Sequence, residues 1–422
     1  MAWRLIFALA VLYGWVIWKV DMISAFTQSD IDVNTLYIVP PEGINAQKYA
    51  SKLLLLNKAL YGLKQSARLW FITLKEVLVQ KLGFQALITE NCILINKEQQ
   101  LIVSIYVDDL AIIGPSVNNI KSFIEELKKL FKLKDLGLIK DYLGINIDYN
   151  LDKGCMKLSQ ESYIEKVLAR FNMTDCKPKD IPMDSKVKLE PNPNQANKEE
   201  INQYQQIIGC LLFLTLATRP DICYSVIKLA RFASNPSADH LIALKNVLRY
   251  LKGSKKLGLI YEKSSSRYIS GYYDADYAGD ISTAKSTSGL SFYLASCLFS
   301  WKSKLQSIIA QSTTEAEYMA INSAFKEAIY IKQLLTELGY YIQERFLVYT
   351  DNNGALLLAN NSQFHERTKH IAVKYYYVRD LINQGEIDLI YIRGTKQKAD
   401  GFTKPLDKPK FIEFIRLLRL AE

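Results

Sequence analysis

The run Leu101-Ile102-Val103-Ser104-Ile105-Tyr106-Val107-Asp108-Asp109-Leu110-Ala111-Ile112-Ile113-Gly114 decides how this chain folds. Two acidic residues stand in its middle, and the residues on either side are apolar at nearly every position. A half-solvated strand alternates apolar and polar residues, whereas an unbroken apolar run of this length is covered on both faces. The pattern predicts a tight buried hairpin, Leu101 to Val107 and Leu110 to Gly114, with Asp108 and Asp109 at its tip. Asp is a common turn residue, so the pair alone proves little. In a buried hairpin, though, two like charges repel strongly. A divalent cation is the economical counter-charge. Magnesium suits the position, because it takes oxygen ligands and uses only one or two carboxylates beside substrate phosphates.

Working outward, Trp15 to Val20 is β-branched and aromatic and reads as a strand that Asp21 ends. A carboxylate from that strand meeting Asp108 and Asp109 would make a two-metal site, which suits in-line attack on phosphorus. Leu69, Ile72, Leu74, Val77, Leu78 and Leu82 recur at helical spacing and predict a helix over 66–82. A basic amphipathic helix follows over 118–131, then a hairpin around Asp152-Lys153-Gly154 and a helix over 161–171. Residues 175–199 hold four prolines and many Lys, Asn and Asp, and read as a linker. Helices dominate 201–252, strands 257–302, and a long helix is expected over 312–338. A strand over 346–350 ends at Asp351. A helix over 371–384, a strand over 387–392 and a loop with Asp400 close the chain.

The second half carries its own acidic set. Gly271-Tyr272-Tyr273-Asp274-Ala275-Asp276 puts two carboxylates on one strand face. Glu315 and Glu317 lie at a helix start where Ser312 or a neighbouring Thr could cap. Each acid taken singly reads as a surface residue or a cap, and Glu315 as a helix-dipole partner. Taken in order, the Asp274 and Asp276 pair, the Glu315 and Glu317 pair, Asp351 and Asp400 are four acidic positions that can converge on another two-metal site.

Composition bounds these readings. The chain has 422 residues, 49% of them apolar, enough for two or three domains with a sizeable core. Lys plus Arg number 53 against 43 for Asp plus Glu, a net +10 that suits a polyanion such as a phosphate backbone. Many basic proteins bind no nucleic acid, so charge alone does not choose. The six cysteines, Cys92, Cys155, Cys176, Cys210, Cys223 and Cys297, show no zinc spacing and there are three histidines. Neither a structural zinc site nor a disulfide framework is expected, and a reducing compartment fits. The apolar run Leu5 to Leu12 is too short to span a bilayer. It reads as a buried helix, with a targeting signal as the alternative.

The motifs together resemble the reverse transcriptase of copia-type LTR retrotransposons. The resemblance rests on Asp21 to Phe26, Leu60-Tyr61-Gly62-Leu63-Lys64-Gln65-Ser66-Ala67-Arg68, Tyr106-Val107-Asp108-Asp109, Lys134-Asp135-Leu136-Gly137 through Tyr142-Leu143-Gly144, and Thr218-Arg219-Pro220-Asp221. The later stretches are similar to the ribonuclease H domain that follows the polymerase in such polyproteins. They are Ser286-Thr287-Ser288-Gly289, Ser300-Trp301-Lys302-Ser303, Thr314-Glu315-Ala316-Glu317-Tyr318, and Arg367-Thr368-Lys369-His370-Ile371. The implied fold is α+β: a reverse transcriptase palm and the start of a thumb over 1–175, a linker and helical thumb or connection over 176–262, and an α/β ribonuclease H-like domain over 263–422. The implied function is RNA-directed DNA polymerase with ribonuclease H, and the alternative is a degenerate remnant that only binds nucleic acid.

By the same resemblance Asp21, Asp108 and Asp109 hold Mg²⁺ or Mn²⁺ in the palm, and Asp274, Glu317, Asp351 and Asp400 hold it in the second domain. Glu317 is preferred to Glu315 because Glu-Tyr-Met-Ala matches the family's helix. Phe26 would exclude the ribose 2′-hydroxyl, and Tyr61, Gly62, Lys64 and Gln65 would line the nucleotide pocket. Basic residues of the middle helices, Arg219, Lys228, Arg231, Lys245, Arg249, Lys252, Lys255 and Lys256, would track phosphates or else form a solvated face. His365 and His370 read as capping or phosphate contacts. The implied partners are an RNA template, a DNA primer, an RNA–DNA hybrid and deoxynucleoside triphosphates, with self-association or other retroelement proteins possible and no stable membrane association. The implied location is cytoplasmic, in a virus-like particle, or nuclear, and not secreted.

Three departures qualify the expectation. The chain starts inside the helix before the first palm strand, without the antiparallel fingers of the family. Ala67 stands for the usual proline, and Tyr277 where the family often has Trp. Weak polymerisation and better-kept ribonuclease H activity are the expected consequences.

Overall fold

A computed structural model describes all residues but 34, 42–51, 341–345 and 361–371. Helix α1 (Ala2–Tyr13) is an apolar cylinder. Residues Leu5 to Val11 are fully shielded from solvent, so the run that could have been a targeting signal is a core helix here. Among the described residues no helix is long and apolar enough to cross a membrane. Gly14 ends α1 in the left-handed region at φ 69, where its N–H reaches back to Val11.

Residues 15–143 form one compact unit, and residues 1–14 with 144–422 form the other. This partition differs from the expected division at 175 and 262. The reason on the N-terminal side is α1, which packs on strands of the second unit. Buried Arg4 secures it: its guanidinium donates to the carbonyls of Phe299 (2.8 Å), Ala217 (3.0 Å) and Leu216, and lies 3.9 Å from the Trp301 ring centroid. Burial lowers its pKa to about 10. A short-range reading of an apolar N-terminus has no access to such a distant acceptor set.

The 15–143 unit is built on β1 (Val16–Met22), with a small ribbon of β2 (Tyr37–Ile38) and β3 (Leu54–Leu55) beside it. After helix α2 (Ser66–Gln80) come β4 (Gln85–Ala86), β5 (Ile93–Asn96), β6 (Leu101–Tyr106) and β7 (Asp109–Gly114). Helix α3 (Val117–Leu130), strand β8 (Leu133–Leu138) and the short β9 (Asp141–Tyr142) complete it. The antiparallel sheet runs β4-β5-β6-β7-β1-β8. Leu101 to Ile105 and Leu110 to Gly114 are buried without alternation, as the apolar run required. Strand β1 does not stop at Asp21. It continues to Met22, whose N–H donates to the Asp108 carbonyl at 2.8 Å, and Asp21 pairs directly with Asp109.

In the other unit β10 (Ile145–Asn150) and β11 (Cys155–Ser159) form the expected hairpin, and helix α4 (Glu161–Arg170) follows. Helices α5 (Lys198–Ala217), α6 (Cys223–Ala230) and α7 (Ala238–Gly253) come next, α5 and α7 each opened by a capping box. Strand β12 (Gly258–Glu262) returns to pair with β11. Then come β13 (Ile269–Asp276), β14 (Thr287–Leu294), β15 (Cys297–Leu305), α8 (Thr313–Leu338), β16 (Phe346–Thr350), α9 (Asn353–Asn360), α10 (Ala372–Asn383) and β17 (Ile387–Tyr391). Helix α11 (Lys408–Leu417) and β18 (Leu420–Ala421), absent from the sequence reading, close the chain, β18 against β12.

Apart from the strands that β12 joins, this unit holds a five-stranded sheet in the order β15-β14-β13-β16-β17. Its first three strands are antiparallel, and β16 and β17 are parallel to β13. A three-strand meander continued by two parallel crossovers through helices is the ribonuclease H-like topology, so the α+β expectation holds.

The middle helices correct one expectation. Arg219 is fully buried in a two-pronged ion pair with Asp221 (2.9 and 2.6 Å), with Ser254 accepting two further bonds. Lys228 and Arg231 both bind Asp280, at 3.3 and 2.6 Å. Arg249 donates to the Lys177 carbonyl, and Lys255 pairs with Glu161 and Glu165. These cations are structural ties. Lys245 and Lys256 remain exposed.

Candidate active sites

In the 15–143 unit, strand pairing delivers the acids. Asp21 and Asp109 face each other across β1 and β7, and Asp108 is the last residue of the two-residue turn between β6 and β7. Val107 in that turn has φ 55, a left-handed conformation that a β-branched residue rarely adopts. Trp70 on α2 holds it there, its indole N–H donating to the Val107 carbonyl at 2.6 Å. The pKa of Asp21 is raised, first by burial and then by the charges of Asp108 and Asp109. Lys19, two residues before Asp21 on the same face, contacts Asp109 at 3.1 Å and Asp141 at 2.6 Å.

The expected pocket residues group in part. The Phe26 and Tyr61 rings are in contact, with centroids 4.5 Å apart. Gly62 turns the chain at φ 98, and the Ser66 hydroxyl ties the turn by donating to the Leu60 carbonyl at 2.6 Å. Lys64 and Gln65 stand on the residues leading into α2.

In the other unit, Asp274 lies near the end of the central strand β13, and Asp351 directly follows its parallel neighbour β16. Tyr272 pairs with Tyr349, so two residues further along both strands the carboxylates stand side by side. Glu317 projects from the first turns of α8. Ser312 caps that helix, accepting from the Glu315 N–H at 3.2 Å. Glu315 is turned back to accept from the Gln311 N–H at 2.8 Å, which leaves Glu317 to face the sheet.

The ligand oxygens of Asp274, Glu317 and Asp351 lie within 4.8 Å of one another, the single such acidic group among the described residues. Glu317 is buried, and its Oε2 has no hydrogen-bond partner. Burial, then the charges of Asp274 and Asp351, push its pKa up to about 9. Burial also raises the pKa of Asp274, opposed by Lys404. An orphaned buried carboxylate oxygen facing two further carboxylates is the donor set a divalent cation needs.

Asp400 is not one of these three, but its side chain contacts Asp274. Lys404, one helical turn on, bridges Asp400 (3.0 Å) and Asp274 (3.6 Å). The Thr403 hydroxyl donates to Asp274 as well, and Gln397 donates to Asp351 at 3.3 Å. The sequence reading missed Gln397, Thr403 and Lys404. The signal available was the cation four residues after Asp400. His365 and His370, with the Arg367 to Ile371 stretch, lie outside the described residues.

A family profile described as reverse transcriptase (RNA-dependent DNA polymerase) matches residues 2–185. The retrovirus-related Pol polyprotein from transposon TNT 1-94 of Nicotiana tabacum is 35% identical over 416 residues, 97% of this chain and 31% of its own length. The putative transposon Ty5-1 protein of Saccharomyces cerevisiae is 32% identical over 311 residues, 73% of this chain and 99% of its own. The chain belongs to the copia-type retrotransposon Pol family. It spans about a third of the curated plant polyproteins that it matches. Among solved structures, the N-terminal ribonuclease H domain of a Mycobacterium tuberculosis protein is 13% identical, covering 33% of this chain and 91% of that one with a TM-score of 0.26. Within this Pol region, Tyr106 to Asp109 and Thr314 to Tyr318 bring acids onto a strand end and a helix start.

Proposed function

We propose that the chain is a bifunctional phosphoryl-transfer enzyme: an RNA-directed DNA polymerase through Asp21, Asp108 and Asp109, and a ribonuclease H through Asp274, Glu317 and Asp351. The observation that carries the proposal is the Asp274, Glu317 and Asp351 trio, three gathered carboxylates around an unpartnered buried oxygen. Divalent ions held there would activate water and stabilise charge building up on the phosphate oxygens. Asp274 and Asp351 fix two positions through rigid parallel strands, and Glu317 supplies the third through a capped helix. Asp400, whose side chain contacts Asp274, would supply the fourth carboxylate, with Lys404 set against both. In the palm, Phe26 against Tyr61 would form the floor under a nucleotide sugar. The substrates are an RNA–DNA hybrid at one site, and template, primer and deoxynucleoside triphosphates at the other. The location is cytoplasmic or nuclear.

The test is cleavage of an end-labelled RNA–DNA hybrid by the whole chain with Mg²⁺. Removing one ligand forfeits several kcal/mol of charge stabilisation, so Asp351→Asn should cut about 100-fold more slowly or worse. An intact hybrid with wild type, or equal cutting by Asp351→Asn, sinks the reading.

A further inference from the structure

Strand alternation places Lys19 and Asp21 on one face of β1, and register places Asp109 opposite Asp21. Lys19 therefore reaches diagonally across the strand pair. Its ammonium is 3.1 Å from one Asp109 oxygen and 2.6 Å from Asp141, with the side chain only 11% exposed. From this geometry we infer that Lys19 is a positioning residue that withholds Asp109 from metal, leaving the palm a two-carboxylate site of Asp21 and Asp108. The inference rests on the proposed reading of the palm as a metal site.

Three observations support it. Asp21, Asp108 and Asp109 do not close into a trio of the kind found at Asp274, Glu317 and Asp351. A shielded ammonium that gives up Asp109 keeps only Asp141, so a metal ion competing for Asp109 must also overcome the loss of that ion pair at Lys19. Asp141 anchors the ammonium from the far side, so Lys19 is fixed between two acids and does not swing freely toward solvent.

The experiment uses the whole chain with Asp274→Asn and Asp351→Asn, so that the palm alone reports. Free Mn²⁺ is counted by its electron paramagnetic resonance signal during titration. A fixed unit charge about 3 Å from a ligand oxygen shifts cation affinity by about tenfold or more, so Lys19→Met should tighten Mn²⁺ binding by about that factor. Lys19→Arg, which keeps the charge, should leave it unchanged. Asp109→Asn should matter little with Lys19 present, yet remove the gain when combined with Lys19→Met. Asp21→Asn and Asp108→Asn should each weaken binding severely. If Asp109→Asn weakens binding as much as Asp108→Asn, the inference is overturned while the metal site stands. If neither Asp21→Asn nor Asp108→Asn changes Mn²⁺ affinity, the reading of the palm itself falls. Should Lys19→Met fail to fold, Asp109→Asn against Asp108→Asn still decides.

Discussion

Replacing Glu317 by Gln tests the charge crowding at the buried trio. Glu317 titrates near 4.5 in an unfolded chain, and burial with Asp274 and Asp351 pushes it up to about 9 in the fold. Between those values the folded, metal-free protein keeps a proton that the unfolded chain releases. Unfolding then releases a proton, so rising pH favours unfolding and stability falls from about pH 5 to pH 9. Each pKa unit is about 1.36 kcal/mol, so at pH 7.5 the three-unit gap amounts to a penalty of up to about 4 kcal/mol. Glutamine resembles the neutral acid and escapes the penalty. In EDTA, Glu317→Gln should therefore be the more stable protein at pH 7.5, by a margin that shrinks toward zero near pH 4.5. Mg²⁺ at 100 times its Kd should narrow the margin by about 2.7 kcal/mol, since the ion stabilises wild type alone. Urea unfolding followed by tryptophan emission, at four pH values with EDTA or Mg²⁺, gives the comparison. A stability difference that does not change with pH, or a wild type that is the more stable in EDTA at pH 8, would refute the reasoning.

Other perturbations probe the scaffold. Arg219→Lys keeps the charge but cannot grip Asp221 with two parallel bonds while also reaching Ser254, and should cost about 3–5 kcal/mol in thermal unfolding; a loss within error would show the pair to be dispensable. Arg4→Met leaves three carbonyls, those of Phe299 and Ala217 in buried contacts, without this donor and should cost about 3 kcal/mol, seen in the same unfolding as Trp301 becomes exposed. A Met variant of wild-type stability would mean that α1 is held by its apolar face alone. Val107→Gly relieves a left-handed β-branched residue and should stabilise by about 1 kcal/mol while loosening the turn that presents Asp108. No gain in melting temperature would show that the turn is not strained.

Local chemistry was legible wherever one short segment sets its own environment. The Leu101 to Gly114 hairpin declared itself through unbroken apolarity, and its strands are buried as that pattern demands. The capped start of α8 was readable from Ser312 and the acids behind it. The long helix and the strands over 346–350 and 387–391 followed from periodicity. Helix α11 and strand β18 were not legible, since ten amphipathic residues and a two-residue edge have little signal without their partners.

Charge pairing divided the readable from the unreadable more sharply than secondary structure did. A sequence shows that Arg219, Lys228 and Arg231 are basic, but whether a cation meets phosphate or a carboxylate depends on what the fold brings within 4 Å. Asp280 takes two of these cations, and it lies about 50 residues away. The same holds for Lys19 and Lys404, which stand beside the acids of the two sites. By itself the sequence determined the acids, their order and the elements that bear them, because those follow from local pattern. Only the tertiary structure decided which acids meet each other and which meet a lysine, because electrostatic partners are chosen by distance in space and not along the chain.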